Sequence, residues 1–144
     1  MKRKVESLDK PYKIGHYNNM QNGYIQYLKK TFIEVPHFTK KWFSLGFNDD
    51  DLAILENELI DNANKGVLMR NTGGIRKIRV PLNGKGKSGG ARVCYVNFAI
   101  YEKIYLIDVF SKNEKENLSK EECNELKKLI STLKEECSNN RRRK

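Results

Sequence analysis

The sequence predicts an α+β domain, in which a small antiparallel sheet carries two helices from its N-terminal side and one from its C-terminal side. Apolar residues recur at helical spacing within 49–63 and 119–137, which indicates amphipathic helices. Between residues 75 and 110 the pattern changes to alternation, and β-branched and aromatic residues become frequent, as in strands. With 144 residues, the chain is long enough to bury a core without disulfides.

The N-terminal part differs from the rest. Residues 1–30 are rich in Lys, Tyr and Asn and show no sustained period, so we expect a flexible N-terminal extension. The compact domain is expected to span residues 31–137, with a basic tail at 138–144. Its first element is a strand at 31–35, which alternates apolar and polar residues and ends at Pro36.

Two helices are predicted next. A short one at 37–45 presents Phe38, Trp42 and Phe43. Asn48 is the expected N-cap of the second, because three aspartates follow it and suit the positive end of the helix dipole. The apolar stripe of that helix consists of Leu52, Leu55, Leu59 and Ala63, and Gly66 ends the run.

Three strands and a helix complete the domain. The strands are expected at 75–80, 91–96 and 104–110. The helix begins at Ser119, which forms a capping box with Glu122. Its apolar stripe consists of Leu126, Leu129, Ile130, Leu133 and Cys137.

Composition narrows the class of function. The formal net charge is +10, which favours a nucleic acid or an acidic protein as partner. Three cysteines without CxxC spacing indicate free thiols in a reducing compartment. No apolar run approaches the roughly 20 residues that span a bilayer, and no secretory leader is evident, so we expect a cytoplasmic protein without membrane contact.

The most informative segment is a basic hairpin at 73–93, which contains no acidic residue. Alternation places Lys77 and Arg79 on one face of the sheet, and Arg92 stands where the glycine-rich loop meets the next strand. Lys85 and Lys87 lie in that loop, and Lys112 follows the last strand. These cations converge near one sheet face, and such an arrangement binds phosphate. Arg76 and Tyr95 are further candidates for contact with RNA.

Several kinds of site lack support in the sequence. Gly86-Lys87-Ser88 resembles the end of a P-loop, but Pro81 occupies the position of the required glycine, and a strand follows instead of a helix. No cluster has metal-ligand spacing, so we expect neither a metal nor another cofactor. The only histidines, His16 and His37, lie far from the basic strands in sequence. Read alone, these residues favour an RNA-binding surface and leave RNA cleavage open.

The basic hairpin and its surroundings resemble the RelE/HigB toxins of bacterial type II toxin–antitoxin modules, and are most similar to the HigB branch. The resemblance covers about residues 32–133 and leaves the first 30 outside. It rests on 72–80 (TGGIRKIRV), 84–95 (GKGKSGGARVCY), 104–107 (IYLI), 112–114 (KNE) and 118–119 (LS).

The resemblance implies a RelE-like fold and a ribosome-dependent endoribonuclease that cuts translated mRNA through attack by the 2′-hydroxyl, without a metal. Lys77, Arg79, Arg92 and Lys112 fall at its catalytic basic positions, and Lys85 and Lys87 at positions that contact RNA backbone. It also implies an antitoxin, expected to be a helix-turn-helix protein that brings the complex to operator DNA.

Two departures from the family pattern keep alternatives open. Phe110 stands where the HigB branch often has Tyr, and Asn113 where the RelE branch has an Arg that can act as acid. Lys112 is therefore the expected substitute as proton donor. A gyrase-poisoning toxin of the related ParE type and an RNA-binding module without cleavage are the competing functions.

Overall fold

The structure is a computed structural model that describes residues 2–7, 13–21, 24–27, 30–82, 90–115 and 117–142. In this part of the chain, eight strands and three α-helices follow one another: β1 (Lys2–Ser7), β2 (Lys13–Gln21), β3 (Tyr24–Tyr27), β4 (Thr31–Glu34), α1 (Pro36–Ser44), α2 (Asp49–Asp61), β5 (Val67–Leu68), β6 (Ile75–Val80), β7 (Ala91–Phe98), β8 (Lys103–Ser111) and α3 (Lys120–Arg142). The predicted α+β class is confirmed, with two helices before the central strands and one after them.

The strands form one sheet in the order β1-β2-β4-β8-β7-β6-β5, and β3 pairs with β2. All pairs are antiparallel except β4 with β8, which run parallel. The observed sheet is thus mostly antiparallel, as the sequence predicted. The parallel pair arises because α1, α2 and three strands separate β4 from β8, and a connection of that length can return in either direction.

The first 30 residues contribute backbone pairs to this sheet. β1 pairs with β2 from Lys2↔Asn18 to Ser7↔Lys13, and β2 pairs with β4 from Lys13↔Glu34 to Gly15↔Phe32. Backbone hydrogen bonding requires no alternation of side chains, which explains why the sequence pattern gives no sign of these strands. The division into an extension, a toxin domain and a tail stays a prediction.

Local signals explain α1 and α2. α1 begins at Pro36, whose fixed φ suits the first helical position. Trp42 is fully buried, with its ring 4.0 Å from that of Phe47, and its indole N–H donates to the Asn48 carbonyl at 3.0 Å. The Asn48 side chain accepts from the Asp51 amide at 2.8 Å, and Asp51 accepts from the Asn48 amide at 3.0 Å. The predicted N-cap is therefore confirmed.

The helices lie on opposite faces of the sheet. Tyr95 and Val96 are neighbours in β7, so their side chains point to opposite faces. The Tyr95 hydroxyl reaches Ala63, just beyond α2. Tyr105, which pairs with Val96, lies 3.3 Å from the Cys137 sulfur of α3. α1 and α2 therefore cover one face and α3 the other.

α3 covers only part of its face. It begins at the predicted capping box, in which Glu122 accepts from the Ser119 amide and Ser119 accepts from the Glu122 amide, both at 3.1 Å. Its buried residues, Ile130, Leu133 and Cys137, lie from its middle towards its C-terminal end. A Cβ placed on Gly73 would meet Ile130 at 3.5 Å, which locates the middle of α3 over the turn before β6. The other end of the face, where β6 ends and β7 begins, remains open. No helix in the described ranges is long and apolar enough to cross a membrane.

Candidate nucleic-acid interface

A cavity of about 420 Å³ lies at the open end of the sheet face. Among the residues that the structure describes, its lining contains five cationic side chains, one amide, one apolar residue and no carboxylate: Lys77, Arg79, Arg92, Lys112, Lys115, Asn117 and Val67. The four cations predicted as catalytic are therefore brought together in one cavity. Because five of these described side chains are cationic, the cavity suits an anion that carries more than one charge.

Strand register places the cations side by side. Arg79 pairs directly with Arg92 across β6 and β7, and Lys77 pairs with Cys94 two residues further along. Lys112 comes from the turn after β8, where its backbone N–H donates to the Gly90 carbonyl at 3.3 Å. This bond ties the turn to the start of β7, so that three separate segments deliver charge to one place.

The hydrogen bonds of the cations differ. The Lys77 ammonium donates to the Asn117 side-chain oxygen at 3.0 Å, and Arg92 makes a long contact of 3.4 Å with the Ala91 carbonyl. Among residues that the structure describes, the side chains of Arg79 and Lys112 have no hydrogen-bond or ion-pair partner. The guanidinium of Arg79 and the ammonium of Lys112 therefore keep their N–H donors for a ligand such as phosphate.

Lys115 and Asn117 were missed by the sequence reasoning. Lys115 forms an ion pair with Glu122, and its ammonium lies 5.1 Å from the centre of the Phe110 ring. Burial alone would lower the pKa of Lys115, but the hydrogen bond and the charge of Glu122 outweigh it and raise that pKa. Both residues stand between β8 and α3, in a connection whose path over the sheet no local pattern encodes.

Two buried residues lie next to the cations that line the cavity. Phe110 pairs with Arg92 and is fully buried. The hydroxyl that a Tyr would carry at this position is therefore missing from a buried site beneath Lys115. Cys94 is fully buried between Lys77 and Asp108 in the register. Burial, and secondarily the charge of Asp108, raises the pKa of Cys94 to about 12. The thiol is therefore protonated at neutral pH and is not available as a nucleophile.

Two residues predicted to contact RNA lie elsewhere. The Tyr95 side chain has no exposed surface; its hydroxyl donates to the Ala63 carbonyl at 2.8 Å and accepts from the Gly66 amide at 2.9 Å. Arg76 donates to the carbonyls of Gly66 at 2.8 Å and Asn64 at 3.2 Å. Together they brace the loop between α2 and β5. The structure gives Tyr95 no face on which a base could stack, so we leave it out of the proposed RNA contacts.

The remaining residues named from the sequence either fall outside the described side chains or lie away from the cavity. Lys85 and Lys87 fall within 83–89 and His16 within the N-terminal strands, outside the side chains that the structure describes. His37 is an exposed residue of α1, and its Nε2 lies 2.8 Å from Asp108 Oδ1. Asn113, at the position where the RelE branch has an arginine, is exposed and does not line the cavity.

Comparison with known families agrees with the fold and the cavity. A family model described as the RelE toxin of the RelE/RelB toxin–antitoxin system matches residues 36–141. The match includes every residue that lines the cationic cavity.

Proposed function

This chain belongs to the RelE toxin family and is the toxin of a toxin–antitoxin system, and from that premise we propose that it is an endoribonuclease that cuts mRNA on the translating ribosome. The observation that carries the proposal is the cavity in which Lys77, Arg79, Arg92 and Lys112 meet. The glycine–lysine segment 84–90, of which the structure describes only Gly90, supports assignment to the HigB-like branch.

The proposed reaction is an in-line displacement within the RNA strand. The 2′-oxygen passes its proton to solvent and bonds to the adjacent phosphorus, the bond from phosphorus to the 5′-oxygen breaks, and that oxygen takes a proton. The products are a 2′,3′-cyclic phosphate and a 5′-hydroxyl end. The step needs stabilisation of the pentacoordinate phosphorane and an acid for the leaving oxygen.

The cationic side chains divide these tasks. Arg79 and Arg92, which pair across two strands, are suited to hold the phosphate oxygens through their forked donors. Lys77, oriented by Asn117, stabilises charge on the attacking oxygen. Lys112 is the proposed proton donor to the 5′-oxygen. With this much positive charge in the cavity, the proposed reaction uses no metal ion.

The composition of the cavity supports ribosome dependence. Among the described residues, its lining offers cations for the RNA backbone and one amide for a base edge, which is little to hold an RNA strand in the in-line geometry. A ribosome holds mRNA bent and exposed in its decoding site, and can supply that orientation. We therefore expect little cleavage of free RNA.

A purified translation system with mapping of mRNA ends by primer extension tests this function. We expect cuts within the translated region that vanish when ribosomes are left out. Arg92→Ala should reduce the cleavage rate by about 100-fold or more, because it removes a charged contact that strengthens in the transition state. Arg70→Ala is the matched control, since Arg70 is exposed and does not line the cavity. Intact mRNA with undiminished translation would overturn the proposal and direct attention to gyrase supercoiling.

Toxins of this family pair with an antitoxin. We assign it the helix-turn-helix class, with operator DNA bound only through the complex. Acidic segments of such a partner would cover the cationic cavity and associate rapidly through charge. Mixing purified antitoxin with the toxin should abolish cleavage, and Arg79→Glu should slow association at low salt.

A further inference from the structure

The Lys115–Glu122 ion pair links the start of α3 to the wall of the cationic cavity. Lys115 lines the cavity, and Glu122 belongs to the first turn of α3. Neither residue belongs to the basic hairpin. The pair therefore connects the cavity to residues outside the basic hairpin.

Glu122 is held on both sides. One carboxylate oxygen accepts from the Ser119 amide at 3.1 Å, and the other accepts from Lys115. The backbone N–H of Glu122 is fixed in turn by the Ser119 hydroxyl at 3.1 Å. A carboxylate engaged in a capping box has little rotational freedom, and so it defines the place of the ammonium that it binds.

Phe110 fixes Lys115 from below. The ammonium lies 5.1 Å from the centre of the ring, and the ring is fully buried and cannot retreat. An ammonium has three N–H donors, and Glu122 takes one of them. The other two have no acceptor among the residues that the structure describes, and Lys115 lines the cavity at a position fixed by a carboxylate and an aromatic ring.

We propose that Lys115 is a further contact to the RNA phosphate, and that Glu122 is a positioning residue that holds the Lys115 ammonium against the cavity. The proposal rests on the proposed function for its role in cleavage, but the phosphate contact itself does not depend on cleavage.

Lys41 and Glu114 provide a matched control. Their ion pair has an N–O distance of 2.6 Å, and the Lys41 side chain is 26% exposed, the same as that of Lys115. Neither Lys41 nor Glu114 lines the cavity. Lys115→Gln and Lys41→Gln thus remove equal charge from equally exposed ion pairs, and only one of them faces the cavity.

The first experiment measures binding of a 12-nucleotide single-stranded RNA by fluorescence anisotropy over a series of salt concentrations. One lost phosphate contact reduces the slope of log affinity against log salt by about 0.7 on a single strand. We expect that reduction for Lys115→Gln and an unchanged slope for Lys41→Gln. Equal slopes in the two variants would overturn the contact.

The second experiment measures single-turnover cleavage on programmed ribosomes. Glu122→Gln keeps an acceptor for the capping box but loses the charge that holds Lys115. We expect its rate to fall about 10-fold, with the affinity for RNA unchanged or higher because a negative charge has left. Asn48→Ala removes the cap of α2, a residue that does not line the cavity, and should lower the melting temperature by about 3–5 °C without lowering the rate of folded protein.

A wild-type rate in Glu122→Gln, or an equal loss of rate in Asn48→Ala, would overturn the positioning role. If the wild-type chain cuts no mRNA, the proposed function fails, and positioning for cleavage fails with it. The salt dependence on the oligonucleotide then still decides whether Lys115 contacts phosphate.

Discussion

Tyr95→Phe separates a structural role from a role in RNA binding at the same residue. The hydroxyl donates to the Ala63 carbonyl and accepts from the Gly66 amide, and all three residues are buried. Removing the hydroxyl leaves the Gly66 amide and the Ala63 carbonyl without their partner. Each unsatisfied group costs about 1–3 kcal/mol. We expect a loss of about 2–3 kcal/mol in the free energy of unfolding. This value lies in the lower part of the sum of the two costs, because Asn64 and Lys65 are exposed and water can therefore reach the unsatisfied amide and carbonyl.

Denaturant unfolding of Tyr95→Phe and of a control, Tyr101→Phe, measures this loss. Tyr101 is half-buried, and within the described ranges its hydroxyl has no hydrogen-bond partner, so the control should stay within about 0.5 kcal/mol of wild type. Cleavage per folded molecule should be the same in both variants. Wild-type stability in Tyr95→Phe together with weaker RNA binding would refute the structural account and return Tyr95 to the RNA contacts.

The other predictions concern backbone packing and the thiols. Gly90→Ala should lower the free energy of unfolding by about 2 kcal/mol or more, because its Cβ would lie 2.5 Å from the Val80 carbonyl oxygen; a loss below about 0.5 kcal/mol in denaturant unfolding would contradict this. Iodoacetamide at pH 8 should add one group to the folded chain, at the half-buried Cys123, and three in denaturant, as counted by intact mass. The pKa of Cys94 is raised from 9.0 to about 12, so the unfolded chain loses that proton first and stability should fall as pH rises through this range. Cys94→Ala should flatten the decline in unfolding free energy above pH 9, and an unchanged slope would exclude this thiol as its cause.

Elements with local signals could be predicted from the sequence. Asn48 and Ser119 mark the starts of α2 and α3 because a capping box is written in four consecutive residues. Strands β6, β7 and β8 could be predicted because they are rich in β-branched and aromatic residues, although β8 is buried on both faces and does not alternate. The convergence of Lys77, Arg79 and Arg92 followed from alternation and hairpin pairing, which are also local.

Features that depend on long-range packing could not be predicted. The parallel pairing of β4 with β8 joins residues about 70 positions apart, and no residue type specifies it. Lys115 and Asn117 enter the cavity only because the connection to α3 crosses the sheet at that end. Tyr95 carries an aromatic ring suited to either stacking or packing, and the burial that decides between them comes from the loop after α2.

The charge of the sheet face accounts for the position of α3. Arg79 and Arg92 stand directly opposite each other on neighbouring strands, and like charges in that position destabilise a sheet by up to about 1 kcal/mol. They cannot be buried beneath a helix without a larger cost, so α3 packs its apolar half over the other end of the face. Its N-terminal turn meets the open end only through Glu122, which neutralises one of five cations and leaves four. Folding alone gains nothing from that uncompensated charge. Binding of a polyanion does gain from this charge, because each phosphate that enters the cavity reduces the repulsion among the cationic side chains.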